Sequence, residues 1–230
     1  TYSRTRASYG AGMIDALRLR HKVVENIADG VLCPRSQQEI EAIVHYCHEH
    51  RIPVYVNGGG SSVTRGKEAV KGGVSLDMSV HLNKVVAFNE VNQTITVQAG
   101  IWGPELERIL NDAPKTLAAR RRYTCGHFPQ SFDHSCVGGW VVTRGAGQNS
   151  TYYGKIEDMV IAQEYVTPIG VFKTAEYPRS ATGPDFDQIM IGSEGTFGVL
   201  MKVTLKVCRY NPENPRRFSD LFKNWEDARN

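Results

Sequence analysis

The sequence predicts an α+β fold, and three observations support this. A helix pattern, a short apolar strand and a glycine-rich turn follow one another over residues 37–62, an order typical of α/β organisation. Beyond residue 77 an antiparallel hairpin is predicted over residues 85–99. Alternating apolar side chains predict a further, amphipathic strand over residues 199–207, with one face buried. The chain therefore places α/β organisation first and antiparallel strands after it.

The first third of the chain contains an arm, a helix and a strand. Residues 1–30 are polar with weak helical periodicity, which predicts a partly ordered N-terminal arm over residues 1–25. After Pro34, Ser36 can cap a helix and Glu39 can complete a capping box. The helix ends near His50, and residues 52–56 are predicted to form a short buried strand. One face of the helix carries its apolar side chains: Ile40, Ile43, Val44 and Cys47.

The rest of the chain is predicted to be mainly antiparallel. Residues 85–88 and 94–99 flank a polar turn, and residues 159–166 and 171–174 flank a second turn that contains Pro168 and Gly170. Between the two hairpins, Pro104 suits the first turn of a helix. That helix is predicted to bury Leu106, Ile109 and Leu110.

Composition narrows the function classes. With 41% hydrophobic and 22% charged residues among 230, the chain is expected to fold into a core. A net charge of +3 gives no argument for binding nucleic acid, and no apolar run reaches the roughly 20 residues of a membrane span. The five cysteines are widely spaced, which favours reduced thiols over a metal site or a disulfide framework. We therefore expect a cytoplasmic protein without a metal.

The C-terminal residues 209–230 are predicted to be a linker and the start of another domain. Regular structure breaks over residues 210–217, where two prolines occur. Four apolar side chains then follow that need a packing partner: Phe218, Leu221, Phe222 and Trp225. A truncated chain is one explanation, and an interface with another chain is the alternative.

Three glycine clusters carry the functional signal, at residues 58–60, 138–147 and 192–198. Converging amides in such turns can hold phosphate oxygens. A Walker loop is excluded, because five residues separate Gly60 from Gly66 and Glu68 replaces the required hydroxyl. A Rossmann fingerprint is weak, because Val63 stands where the third glycine belongs. A diphosphate held by a non-Rossmann fold is favoured, while glycines that only form turns are the alternative.

Several blocks in order resemble the FAD-linked oxidases of the vanillyl-alcohol oxidase type, and within them the alkylglycerone-phosphate synthases. The blocks are residues 56–62 (VNGGGSS), 130–136 (QSFDHSC), 143–146 (TRGA) and 194–200 (EGTFGVL). Residues 137–140, 153–158 and 182–185 add to the similarity to the synthases. The resemblance extends from about residue 17 to residue 208, which is most of the chain.

The resemblance implies a two-lobed PCMH-type FAD-binding domain over residues 26–208, with a small α/β lobe and a larger, mainly antiparallel sheet flanked by helices. It implies that the amides of residues 58–62 hold the pyrophosphate, that residues 130–136 and 143–146 line the flavin and its ribityl chain, and that residues 194–200 contact the adenosine end or the neighbouring strand. The implied cofactor-binding residues are Val56, Asn57, Gly58, Gly59, Gly60, Ser61, Ser62, Gln130, Ser131, Phe132, Asp133, His134, Ser135, Cys136, Gly138, Gly139, Thr143, Arg144, Gly145, Ala146, Glu194, Gly195, Thr196, Phe197, Gly198, Val199 and Leu200.

Departures from the family pattern refine these expectations. Ser61 and Ser62 stand where relatives that tether the flavin from this loop carry a histidine, so FAD is expected to bind non-covalently. The segment over residues 113–123 is longer and more basic than in the family; it is either a phosphate-attracting edge or a solvated loop. His127 and His134 are candidates for acid–base roles, with a structural or exposed histidine as the alternative. No catalytic residue is assigned.

The resemblance implies a function for the parent enzyme. A synthase-like enzyme would exchange a fatty acyl for a fatty alkyl group on dihydroxyacetone phosphate, in ether-lipid synthesis, with the substrate bound by a cap domain that follows this chain. An FAD-dependent 2-hydroxy-acid oxidoreductase of the same fold is the alternative, as is a non-catalytic flavin-binding module completed by another chain. A small-molecule substrate, a possible homodimer and, in a eukaryote, a peroxisome-like organelle are further expectations.

Overall fold

The computed structural model describes residues 2–177, 179–213 and 219–229. It contains a small lobe with a parallel sheet and a large lobe with an antiparallel sheet, which confirms the predicted α+β class. Part of the predicted break over residues 210–217 and the apolar Phe218 lie outside the described residues. The apolar side chains of Leu221, Phe222 and Trp225 are exposed, as the sequence predicts for residues without a packing partner.

The small lobe is a three-stranded parallel sheet with helices packed on it. Its sheet has the order β1-β3-β2. The elements are α1 (Tyr2–Ser8), α2 (Met13–Arg20), β1 (Gly30–Leu32), α3 (Gln37–Glu49), β2 (Val54–Asn57) and β3 (Val74–Asp77). Helix α3 and strand β2 confirm the helix and strand predicted there, but residues 52–56 are only partly buried, so the predicted burial of this strand is wrong. Strands β1 and β3 have only three and four residues and were not predicted.

The start of α3 differs in one detail from the predicted capping box. The Ser36 hydroxyl accepts a hydrogen bond from the Glu39 backbone N–H at 3.2 Å, as predicted. The Glu39 carboxylate, however, accepts from the backbone N–H of Arg35 at 2.8 Å, one residue before the cap. Ile40, Val44 and Cys47 are buried along one face of the helix.

The first 20 residues form two helices where the sequence predicts a partly ordered arm. Helix α1 packs against β1 and β3, and Ala7 and Tyr9 are buried. The backbone N–H of Ala11 donates to the Ser62 carbonyl at 2.9 Å, which fixes the residues before α2 to the first glycine loop.

The large lobe is built on a five-stranded antiparallel sheet of order β4-β5-β9-β7-β8, with a separate β6-β10 pair. Both predicted hairpins are confirmed as β4-β5 and β7-β8. The elements are β4 (Val85–Asn89), β5 (Thr94–Gln98), α4 (Gly103–Asn111), α5 (Ala113–Thr116), β6 (Tyr123–Thr124), a 3-10 turn (Phe132–His134), α6 (Val137–Val142), α7 (Ser150–Tyr153), α8 (Ile156–Met159), β7 (Val160–Thr167), β8 (Gly170–Lys173), α9 (Phe186–Met190), β9 (Val199–Lys206), β10 (Cys208–Arg209) and α10 (Trp225–Arg229).

Helix α4 matches the sequence prediction. Pro104 lies in its first turn, Leu106 and Leu110 are fully buried in the large-lobe core, and Ile109 packs against that core. None of the helices in the described residues has the length and apolar character needed to cross a membrane.

Two apolar clusters form the core, and β9 contributes to both. The larger cluster fills the space between the antiparallel sheet and helices α4, α6 and α8. The second cluster, here called the shared cluster, joins small-lobe side chains to β7 and β9; its buried members are Ile40, Val44, Leu76, Met78, Leu82, Val166, Val199 and Met201. Because β9 is the middle strand, Leu200 and Thr204 are also buried, so the predicted one-sided burial of this strand is wrong.

Candidate functional site

A cleft of about 410 Å³ lies where the carboxyl end of β2 meets the large lobe. Open α/β sheets bind ligands at this edge of their strands. All three predicted glycine clusters contribute to the cleft. The predicted residues that line it are Val56, Asn57, Gly58, Gly59, Gly60, Ser61, Ser62, Ser131, Ser135, Cys136, Gly139, Thr143, Gly145, Glu194 and Gly195.

The other predicted residues surround the cleft without lining it: Gln130, Phe132, Asp133, His134, Gly138, Arg144, Ala146, Thr196, Phe197, Gly198, Val199 and Leu200. Val199 and Leu200 are buried in the core clusters. The Arg144 guanidinium does not line the cleft. It pairs with Glu157 at 2.8 Å and donates to the Gln188 carbonyl at 2.7 Å. These contacts give the Arg144 side chain a structural role in the large lobe.

The first glycine loop packs directly on residues 134–136, the segment that precedes the second glycine cluster. A Cβ on Gly59 would lie 2.2 Å from the His134 carbonyl oxygen and 2.7 Å from the Ser135 Cα. A Cβ on Gly58 would lie 3.3 Å from the Cys136 Cβ. Gly59 is therefore required for the close approach of two backbones, which brings both loops to one cleft.

Lys67 is a buried cation in the cleft. Its side chain passes close to Gly60, whose φ of +76° lies in the left-handed region, and a Cβ there would lie 2.9 Å from the Lys67 Nζ. The ammonium donates to the Asn57 Oδ1 at 2.7 Å and to the Arg6 carbonyl at 3.1 Å. Burial lowers the pKa of Lys67 to about 8, although the charge of Asp77 acts in the opposite direction.

Sequence reasoning missed Lys67. In the sequence, Gly66-Lys67 is typical of a Walker loop, which the spacing from Gly60 excludes. The position of the ammonium depends on Asn57 at the end of β2 and on Arg6 in α1, which is 61 residues away in sequence.

Gly139 faces open space in the cleft. It lies within α6, and a Cβ built on it meets no atom within 4 Å. Its neighbour Gly138 is the opposite case, because a Cβ there would lie 2.7 Å from the Ala99 Cβ. The cleft therefore has room against the backbone of α6 that a ligand can occupy.

Trp140 lines the cleft, and His127 packs behind it. The Trp140 indole N–H donates to the Ser135 Oγ at 2.7 Å, and the His127 ring packs against Trp140 with centroids 4.9 Å apart. His127 is fully buried, and neither ring nitrogen has a hydrogen-bond partner among the described residues. Burial lowers the pKa of His127 to about 4. Neither His127 nor His134 lines the cleft.

The third glycine cluster closes the cleft from the large lobe. The Thr64 hydroxyl lies 3.4 Å from each oxygen of the Glu194 carboxylate, which links this cluster to the loop after β2. Lys67 and Glu194 are the charged side chains among the described residues that line the cleft. Burial raises the pKa of the Cys136 thiol, which also lines it, to about 12.

The basic segment over residues 113–123 lies elsewhere. Arg120, Arg121 and Arg122 are exposed and do not line the cleft, in agreement with the solvated-loop alternative. Within the described residues no cluster of three or more His, Cys, Asp or Glu could hold a metal ion.

Comparison with known proteins identifies a family. The model of the family described as "FAD binding domain" matches residues 28–176. The chain is 37% identical over 235 residues to an alkyldihydroxyacetonephosphate synthase of Caenorhabditis elegans, with 99% of this chain and 37% of that protein covered. It is 36% identical over 190 residues to a mitochondrial D-lactate dehydrogenase (cytochrome) of Arabidopsis thaliana, covering 81% of this chain and 31% of that protein.

Solved structures agree with the fold. A structure of alkyldihydroxyacetonephosphate synthase superposes with a TM-score of 0.80 at 33% identity, over 90% of this chain and 36% of that one. A BBE-like protein of Physcomitrella patens superposes with a TM-score of 0.68 at 18% identity, over 90% and 40% of the two chains. These similarities confirm the PCMH-type fold. The chain spans about a third of the length of the curated relatives it matches.

Proposed function

Because this chain belongs to the FAD binding domain family, we propose that its cleft holds FAD non-covalently and that it is the FAD-binding portion of an alkylglycerone-phosphate-synthase-like enzyme. The observation that carries the proposal is the convergence of three separate glycine clusters on one cleft. Amide groups and short hydroxyl side chains suit a diphosphate and a ribityl chain. The open space beside Gly139 is compatible with a ligand that lies against α6.

The cleft residues have separate tasks in this proposal. The amides of residues 58–62 bind the diphosphate, and the hydroxyls of Ser131 and Thr143 are available to the ribityl chain. Trp140, held by Ser135, excludes water from the inner wall. Bound FAD supplies the flavin N5 chemistry, which a protein without a cofactor lacks.

Two features support non-covalent binding. Ser61 and Ser62 occupy the first loop, where a tethering histidine would be needed, and the described residues that line the cleft include no histidine. The Cys136 thiol lines the cleft, but its raised pKa keeps it in the unreactive protonated form at neutral pH.

A paired glycine substitution tests the cofactor site. Gly139→Ala places a methyl group in the cleft without any protein clash, so the variant is expected to fold and to lose FAD affinity. Gly30→Ala is the matched control, because a Cβ there also meets nothing within 4 Å and Gly30 does not line the cleft. Flavin content after purification and FAD titration measure the effect. A wild-type protein that neither carries nor takes up FAD contradicts the proposal.

The second candidate for the parent enzyme is a 2-hydroxy-acid oxidoreductase. The D-lactate dehydrogenase relative is 36% identical over 190 residues, against 37% over 235 residues for the synthase. Anaerobic D-lactate should bleach the flavin absorbance of the full-length protein if this candidate is correct, since that reaction reduces the flavin. A synthase catalyses no net oxidation and should leave the absorbance unchanged. The small-molecule substrate, the homodimer and the cytoplasmic or peroxisome-like location stay predictions.

A further inference from the structure

We propose that Lys67 is the cation that neutralises the diphosphate of the bound cofactor. This inference rests on the proposed FAD site and assigns one of its residues a specific role. Lys67 lines the cleft beside the first glycine loop, and its Nζ lies next to Gly60, within the loop proposed to bind the diphosphate.

Among the described residues Lys67 has no ion-pair partner. Only 7% of Lys67 is exposed, and its ammonium donates to two neutral acceptors, the Asn57 Oδ1 and the Arg6 carbonyl. Within the described residues no carboxylate lies within 4.0 Å of its Nζ. Burying an ammonium without a direct ion pair is costly. Asp77 and Asp15 favour the charged form from beyond ion-pair distance, and a bound anion would be its direct partner.

The geometry leaves the ammonium able to bind such an anion. An ammonium has three N–H donors, and the two protein contacts of Lys67 use two of them. Asn57 is itself fixed, because its amide donates to Asp77 Oδ2 at 3.3 Å. These contacts hold Nζ in place at the wall of the cleft without neutralising it.

The proposal predicts that FAD binding takes up a proton. Free Lys67 has a pKa of about 8, and a bound diphosphate should raise it by favouring the ammonium. The charged groups acting on Lys67 are Asp77 on β3, Asp15 on α2 and Arg6 on α1. Glu194 is the other charged side chain among the described residues that line the cleft. The Cys136 thiol stays protonated between pH 7 and 9.5, because burial raises its pKa to about 12.

Calorimetric titration of FAD into the apo chain, in buffers of different ionisation enthalpy, measures this uptake. At pH 8.5 we expect about 0.5–0.7 proton to be taken up per FAD. Lys67→Met should abolish the uptake and weaken FAD binding by about tenfold to a hundredfold at pH 7. Lys71→Met, at an exposed lysine nearby in sequence, is the matched control and should behave as wild type.

The outcomes separate this inference from the proposed function. Wild-type protein that binds FAD with the same proton uptake as Lys67→Met overturns the role of Lys67 and leaves the FAD site standing. Wild-type protein that binds no FAD at any pH defeats the FAD site itself. If Lys67→Met does not fold, the wild type alone decides: its Kd should rise about threefold to sixfold between pH 8.5 and 9.5, and a flat profile overturns the inference.

Discussion

His127 is expected to make the domain sensitive to mild acid. Its ring is fully buried against Trp140, and its folded-state pKa of about 4 lies below the 6.5 of an unfolded histidine. As pH falls through 6.5, the unfolded chain binds a proton at this site, whereas the folded chain does not until pH approaches 4. The unfolded state is therefore favoured increasingly between these two values.

The size of the effect follows from the shift. At 1.36 kcal/mol per pKa unit, a difference of about 2.5 units corresponds to about 3 kcal/mol below pH 4, of which about 2 kcal/mol is lost between pH 7 and pH 5. This loss is a large fraction of a typical domain's total stability, which is roughly 5–15 kcal/mol.

Urea unfolding at pH 7 and pH 5, followed by circular dichroism, measures the loss. His127→Leu leaves no hydrogen bond broken within the described residues, because both ring nitrogens lack partners there. The variant should lose about 2 kcal/mol less than wild type between the two pH values. His45→Leu, at an exposed position of α3, is the control and should follow wild type. Equal pH dependence in wild type and His127→Leu would refute the reasoning.

Two further predictions concern packing and capping. Gly59→Ala should lower stability by about 1–3 kcal/mol, because the new Cβ would lie 2.2 Å from the His134 carbonyl and one of the two loops must move; unchanged urea unfolding would contradict the loop contact. Ser36→Ala should cost about 1 kcal/mol, since the Glu39 N–H loses its cap acceptor. Ser36→Thr keeps a hydroxyl acceptor at this position and should retain most of the stability that Ser36→Ala loses. An equal loss of stability in both variants would argue against a capping effect.

Strong local patterns explain why much of the fold could be predicted. Helix α3 carries its cap, Ser36, and its apolar stripe within 13 residues, and each hairpin has its turn residues between its strands. Strands β1 and β3 lack such signals, because they are short and their pairing joins residues more than 40 positions apart. The double-sided burial of β9 depends on its place between β5 and β7, which its own alternation does not encode.

The site shows the same division between local and distant causes. The glycine clusters were recognisable as sequence, and the structure brings all three to one cleft. Arg144 was expected at the flavin because of its motif, but its side chain is drawn to Glu157 and to the carbonyl of Gln188, 44 residues away. The burial of Lys67 requires α1, which the sequence pattern only weakly predicted.

The shared cluster has a consequence for how the molecule opens. Because Val199 and Met201 of the central strand pack against Ile40 and Leu76 of the small sheet, separating the lobes would expose this apolar surface to water. A hinge motion that opens the two lobes is therefore disfavoured as a route for ligand entry and exit. Ligand exchange should depend instead on local movement of the loops that line the cleft. Hydrogen–deuterium exchange should accordingly give the slowest amides of β3 and β9 one common free energy of opening, as parts of a single cooperative unit.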